Sequence, residues 1–194
     1  MADIKSICIY CGSSMGNDPR YNEAADLLGR LIGEAGLELV YGGGKVGLMG
    51  TVADAVLKAG GRVTGIIPSN LKKVELAHDG LSEMIVVESM HERKRMMFDK
   101  SDAFVTLPGG PGTLDETIEI ITWRQLRLHA KPIVIVDDGG YWQPLLDLME
   151  HTIENGFAHD VFRTFYTVVS SPEEVLPAIE ELPESFLEER PERL

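Results

Sequence analysis

The sequence predicts an α/β domain built on a doubly wound parallel sheet of about seven strands flanked by helices. Three observations predict it. Apolar runs of strand length alternate with helix-period stretches along the whole chain. The 194 residues, 44% of them hydrophobic, suit one domain with a sizeable core. Glycine-rich loops follow three of the predicted strands, and in such sheets the ligand crevice lies beyond the strands' carboxyl ends. No internal repeat, low-complexity tract or interdomain linker interrupts the pattern, so residues 1–181 are read as a single domain and 182–194 as an acidic tail.

Taken in order, the predicted strands are Ile4–Tyr10, Leu37–Tyr41, Val63–Ile67, Met84–Glu88, Ala103–Leu107, Pro132–Asp137 and Phe165–Val169. Between and after them the predicted helices are Tyr21–Ala35, Leu48–Ala59, Met90–Lys100, Thr113–His129, Tyr141–Asn155 and Pro172–Glu181. In the fourth helix, Leu114, Ile118, Ile121 and Gln125/Leu126 follow the spacing of one buried face. Cys8 and Cys11 form a CxxC, but Cys8 lies inside the first strand run. Side chains alternate along a strand, so the two thiols face opposite ways and neither redox nor metal work is expected of them. With no HExxH and no second CxxC, no metal or other cofactor is expected.

Charge narrows the partners. Thirty-one acidic against 18 basic residues give −13, which argues against a broad nucleic-acid or anionic-membrane surface. No apolar stretch approaches the ~18 residues of a membrane span, and the N-terminus lacks a signal-peptide pattern, so a cytoplasmic protein is expected. Residues 172–194 hold eight Glu against two Arg, whereas residues 89–131 hold seven basic and six acidic residues. The cations therefore gather in one segment, where a small anion needs only a local site.

The three glycine loops are Cys11–Gly16, Gly42–Gly47 and Pro108–Thr113, the last running straight into a helix. Glycine lets a ligand approach the backbone, and a helix N-terminus offers unpaired N–H groups and positive potential. A phosphate-bearing ligand is expected, with Ser13, Gly43, Gly44, Gly109, Gly110, Pro111, Gly112 and Thr113 as binding candidates. The first loop is not GxGxxG, the second strand ends in Gly42 where a dinucleotide fold places an acidic ribose ligand, and no GxxxxGK[ST] occurs. A mononucleotide or sugar phosphate therefore fits better than a dinucleotide or ATP.

Arg93, Lys94 and Arg95 are consecutive on the third helix, and Met90, Arg93 or Lys94, and Met97 share a stripe. At least one cation thus points where the apolar residues point, and Arg93 is the functional candidate. Thr113-x-x-Glu116 matches a capping box, as do Ser89-x-x-Glu92 and Ser171-x-x-Glu174, where capping alone is expected. Position separates Glu116 from the others, because it follows the loop where a phosphate would dock. Glu119, one turn on, would support Glu116 or face solvent.

With these residues in hand, the chain resembles the LONELY GUY (LOG) family of cytokinin riboside 5′-monophosphate phosphoribohydrolases, whose relatives have often been labelled lysine decarboxylases. The matching features are the early CGSS, YGGG followed by GLMG at 47–50, MHERK at 90–94, and LPGGPGTLDE at 107–116, close to the family's PGGxGTxxE. TWRQL at 122–126 matches the family's ITWxQL. The resemblance spans about residues 4–180. It implies a Rossmann-like fold, a homodimer or higher homo-oligomer, and hydrolysis of a nucleoside 5′-monophosphate to free base and ribose 5-phosphate, AMP or an N6-isoprenoid derivative being preferred. It implies Arg93 and Glu116 as the catalytic pair, with substrate held by residues matching Glu75, Arg93, Lys94, the Gly110–Glu116 loop and Thr122. A decarboxylase is rejected, since that chemistry on lysine needs pyridoxal phosphate on a Schiff-base lysine. Two readings stand beside the enzyme: a nucleotide or molybdenum-cofactor carrier without hydrolysis, and an interaction protein acting through its acidic tail.

Overall fold

The computed structural model describes residues 4–71 and 77–181. Seven parallel strands form one sheet in the order β4-β3-β2-β1-β5-β6-β7. They are β1 (Ser6–Tyr10), β2 (Glu38–Tyr41), β3 (Arg62–Pro68), β4 (Glu83–Val87), β5 (Ala103–Thr106), β6 (Ile133–Val136) and β7 (Thr167–Val169). The helices are α1 (Pro19–Glu34), α2 (Gly47–Lys58), α3 (Met90–Asp99), α4 (Pro111–Gln125), α5 (Gln143–Glu154) and α6 (Val175–Glu181). Every predicted strand and helix is present, with ends shifted by a few residues.

The shifts have local causes. α1 begins before Tyr21 because Asp18 accepts from the Arg20 N–H and Pro19 is suited to the first helical position. It ends where Gly36 takes a left-handed φ of 71° and Leu37 N–H donates to Ile32 O at 3.1 Å. β7 loses Phe165 and Tyr166, which pack with Phe162 around a 3₁₀ turn at Asp160–Thr164.

The two faces of the sheet carry separate cores. Ile7, Ile9 and Cys11 of the β1 region pack with Leu28, Ile32, Val52 and Val56 of α1 and α2. Cys8 and Tyr10 pack on the other face with Met97, Phe104, Ile120 and Ile121. The cysteines thus face opposite ways, and burial pushes both thiols far above the ordinary range. The chain builds outward from β1 through β4, then crosses to β5 on the other side, pairing Tyr10 with Thr106. That reversal between β1 and β5 is the topological switch point, where open α/β sheets bind ligands.

The buried face of α4 differs from the expected one. Thr113, Thr117, Ile120, Ile121 and Arg124 face inward, whereas Ile118 is 38% exposed. The sheet-side positions hold threonines whose hydroxyls find partners: Thr117 Oγ1 donates to Thr113 O at 2.7 Å and meets Thr106 Oγ1 at 3.0 Å. A pattern weighted on apolar residues therefore selects the neighbouring stripe. The helix also stops at Gln125, since Arg127 takes a positive φ of 59° and His129 folds back to bond Ile120 O at 3.0 Å.

Candidate active site

The three glycine loops meet at the carboxyl end of the sheet, backbone against backbone. Gly12 N–H donates to Pro108 O at 3.0 Å, and Met49 N–H donates to Gly12 O at 3.3 Å. Gly47 has a φ of +64°, and a Cβ there would lie 2.3 Å from the Ser14 nitrogen. Only glycine permits that approach. A cavity of about 160 Å³ opens beside the switch point, lined among others by Gly12, Ser14, Tyr21, Gly109, Gly110 and Tyr141. Typical small-molecule pockets start near ~300 Å³, so this one has room for part of a nucleotide.

Tyr21 and Tyr141 were not singled out from the sequence. Their rings meet edge to face with centroids 5.2 Å apart, and the Tyr141 hydroxyl donates to Gly109 O at 2.6 Å. Both open, or immediately precede, a helix entered from the carboxyl end of a strand, which was the available signal.

The amino end of α4 is open. Gly110 is its N-cap, Pro111 stands at the first turn, no side chain caps it, and the first turn holds no acidic residue. Gly110, Pro111 and Gly112 are exposed and Thr113 is buried. Here the capping-box expectation is corrected. Thr113 lies inside the helix, because the proline-initiated turn moves the start upstream. Glu116 is therefore a mid-helix side chain and does not serve the cap. Of the other two matches, the first caps and the second does not cap through its serine. Ser89 Oγ accepts from Glu92 N–H at 3.2 Å while Glu92 accepts from Glu88 N–H at 2.9 Å. Glu174 accepts from Ser170 N–H at 3.2 Å, with no side-chain bond from Ser171.

Arg93 points inward with Met97, 5% exposed, and its Nη2 donates to Gly42 O at 3.1 Å. The place it occupies exists because residue 42 has no side chain: a Cβ there would lie 1.9 Å from Nη2. Glu116 and Arg93 act in opposite senses on the same buried thiol, the carboxylate raising and the guanidinium lowering the pKa of Cys8, after the larger effect of burial. Glu116 also raises Tyr10 and Cys11, again after burial. Glu116 thus bears on Cys8, Tyr10 and Cys11, from β1 into its glycine loop, and Arg93 on Cys8.

The remaining predicted residues divide. Ser13 is exposed in the loop after β1. Gly43 and Gly44 are buried beneath residues 77–78, Gly43 O accepting from His78 N–H at 3.1 Å. Lys94 Nζ bridges α3 to α4, 2.7 Å from Asp115 and 3.3 Å from Glu119. Burial works against its charge, but the two carboxylates outweigh this and raise its pKa. Glu119 thereby serves Lys94. Thr122 is exposed on the outer side of α4, about 14 Å along the axis from Thr113, so the chain does not bring it to its own loop. Glu75 lies outside the described residues, as does the 182–194 tail. Among the described residues no three His, Cys, Asp or Glu gather as a metal site, and no helix is long and apolar enough to cross a membrane.

A family described as "Possible lysine decarboxylase" matches residues 49–179. The cytokinin riboside 5′-monophosphate phosphoribohydrolase of Rhodococcoides fascians is 44% identical over 176 residues, covering 90% of this chain and 89% of that protein. The Arabidopsis thaliana enzyme named cytokinin riboside 5′-monophosphate phosphoribohydrolase LOG7 is 41% identical over 182 residues, covering 94% and 84%. Among solved structures, the molybdenum cofactor binding protein of Rippkaea orientalis superposes with a TM-score of 0.69 at 24% identity, covering 93% of this chain and 98% of that one. That last likeness is one of fold.

Proposed function

The chain belongs to the family of the cytokinin riboside 5′-monophosphate phosphoribohydrolases, and from that membership we propose that it hydrolyses the N-glycosidic bond of a purine nucleoside 5′-monophosphate, AMP or an N6-modified derivative. The products are free base and ribose 5-phosphate. One observation carries the reading: the Arg93 guanidinium is buried and anchored on Gly42 O just past the carboxyl end of β2, while α4, which carries Glu116, opens at the same edge of the sheet with an uncapped start at Gly110–Thr113 suited to a phosphate.

In the reaction the C1′–N bond breaks with its electron pair going to the base, and water supplies the oxygen to C1′ and a proton to the base. Positive charge grows on the sugar in the transition state. Glu116 stabilises that charge or activates the water. Arg93, anchored on Gly42 O, orients the carboxylate or stabilises negative charge on the leaving base. The 5′-phosphate docks on the 109–113 loop, and Lys94 assists electrostatically from α3.

The decarboxylase description does not fit the residues. A Schiff-base lysine must lose its proton, whereas Lys94 is held charged by Asp115 and Glu119. Lys45, within the second glycine loop, is exposed and lies near Asp79. No step is assigned to pyridoxal phosphate.

The active form is a homodimer. Met90, Ile118, Leu126 and Leu128 leave large apolar side chains exposed on α3, α4 and the turn after α4, and the two helices are tied by Lys94 and by the Phe98–Trp123 contact. A second copy covering this face would give Thr122 a partner. The compartment is cytoplasmic, in keeping with a phosphorylated substrate and two free thiols. Incubation with AMP and its N6-isopentenyl derivative, followed by chromatography for free base, tests the reading. Binding without release would favour a carrier.

A further inference from the structure

Asp54 and His78 pair beside the site, 24 residues apart in sequence, and no step of the proposed hydrolysis uses them. His78 is 7% exposed. Its Nδ1 lies 3.0 Å from Gly80 N and its Nε2 lies 3.0 Å from Asp54 Oδ1 on α2. A backbone N–H can only donate, so Nδ1 accepts and the proton sits on Nε2, aimed at the carboxylate. The ring staples the turn at 78–80 to α2.

The same turn is fastened to the glycine loop by its backbone. His78 N–H donates to Gly43 O at 3.1 Å, and Ala77 pairs with Gly44 in an isolated antiparallel bridge. Three consecutive carbonyls of that loop have three different duties. Gly42 O accepts from Arg93 at 3.1 Å, Gly43 O from His78, and Gly44 O from the buried Tyr41 hydroxyl at 3.1 Å. Asp54 also bears on this spot, contributing after burial and Cys11 to the raised pKa of Tyr41. The carbonyl that anchors Arg93 and the carbonyl that anchors His78 thus belong to adjacent peptide units. The joint between them is Gly43, at a φ of +79° that offers little intrinsic restraint.

We propose that His78, oriented by Asp54, is a positioning residue for the hydrolysis: it clamps the 78–80 turn onto Gly43 and so keeps the Gly42 carbonyl aimed at the Arg93 guanidinium. The proposal rests on the reading of Arg93 as part of the reaction. Releasing the clamp leaves every reacting group present but lets one of them wander, and misplacement by ~1 Å can cost up to ~10²-fold in rate.

The test is steady-state base release from AMP or its N6-isopentenyl derivative by variants of this pair. His78→Ala and Asp54→Ala should lower kcat by between about 10- and 100-fold, with KM within about twofold of wild type. Asp54→Asn should restore most of the rate, because its amide oxygen accepts the same Nε2 proton. In an Arg93→Lys background, His78→Ala should cost less than about twofold more, since the clamp acts through that arginine. A kcat within about twofold of wild type in both alanine variants, or a full multiplicative loss in the Arg93→Lys background, would overturn the proposal. Should His78→Ala fail to fold, Asp54→Ala decides, its side chain being half-exposed. Amide hydrogen exchange separates this proposal from the functional reading. If the wild-type protein releases no base, that reading fails, yet the clamp still predicts faster exchange at 42–44 and 78–80 in Asp54→Ala, and unchanged exchange refutes it.

Discussion

Gly42→Ala is the smallest change that reaches the candidate catalytic centre. A methyl group at this position would lie 1.9 Å from Nη2 and 3.0 Å from Cζ of Arg93. Residue 42 is absent from the positive-φ glycines, so alanine meets no backbone strain and the clash falls on the guanidinium alone. Relieving it requires a shift of roughly 1.5 Å, to reach an ordinary contact near ~3.5 Å. The displaced group loses its 3.1 Å bond to Gly42 O. Bonds from charged groups are worth about 1.5–3 kcal/mol, which at about 1.4 kcal/mol per decade corresponds to roughly 10- to 150-fold in rate if the anchor acts in the transition state. Gly42→Ala should therefore lower kcat for base release by on the order of 10²-fold. Melting should fall only as far as one disturbed buried contact requires, about 1–3 kcal/mol. The assay is chromatographic quantitation of free base beside a thermal melt. Wild-type kcat in a folded Gly42→Ala protein would refute the role given to Arg93's position.

Other expectations follow from the same geometry. Gly112→Ala meets nothing within 4 Å and has no positive φ, so it should leave melting unchanged while raising KM by about 10-fold or more by crowding the phosphate, as one lost charge-assisted bond would; an unchanged KM removes the loop from the binding site. His129 is held neutral, its pKa lowered chiefly by burial. Between that lowered value and the ordinary 6.5 the unfolded chain binds more protons, so stability rises with pH across the window, by at most about 1.4 kcal/mol per pH unit, and declines on acidification. His129→Gln should remove that part of the slope in denaturant melts taken at several pH values. On the proposed dimer, Ile118→Asp on the exposed face of α4 should yield a monomer by light scattering where the wild-type protein is dimeric, and a mass unchanged by the substitution would refute the proposed contact.

Much of the fold was legible because a sheet covered on both faces leaves each strand as a short apolar run, and the glycine loops mark the carboxyl ends. That one of Arg93 and Lys94 turns inward was legible too, from the spacing to Met97, but periodicity alone did not say which. What misled were positions where polar side chains satisfy one another. Thr113 and Thr117 are buried through the Thr106 hydroxyl, and that contact crosses from α4 to β5, beyond the reach of helical periodicity. Pro111 starts α4 early, which turned an apparent capping box into an interior glutamate. Tyr21, Tyr141 and the Asp54–His78 pair join the site only through chain crossings that no local pattern records. Cys8 and Cys11, by contrast, followed from strand alternation alone.

The most direct measurement is release of free base from AMP and its N6-isopentenyl derivative by the wild-type protein and by Glu116→Gln at matched folding. Wild-type protein should yield base and ribose 5-phosphate in equal amounts, and Glu116→Gln should lose about 10²–10⁴ in rate. Nucleotide binding with no base released, or equal rates from the two proteins, would contradict the account.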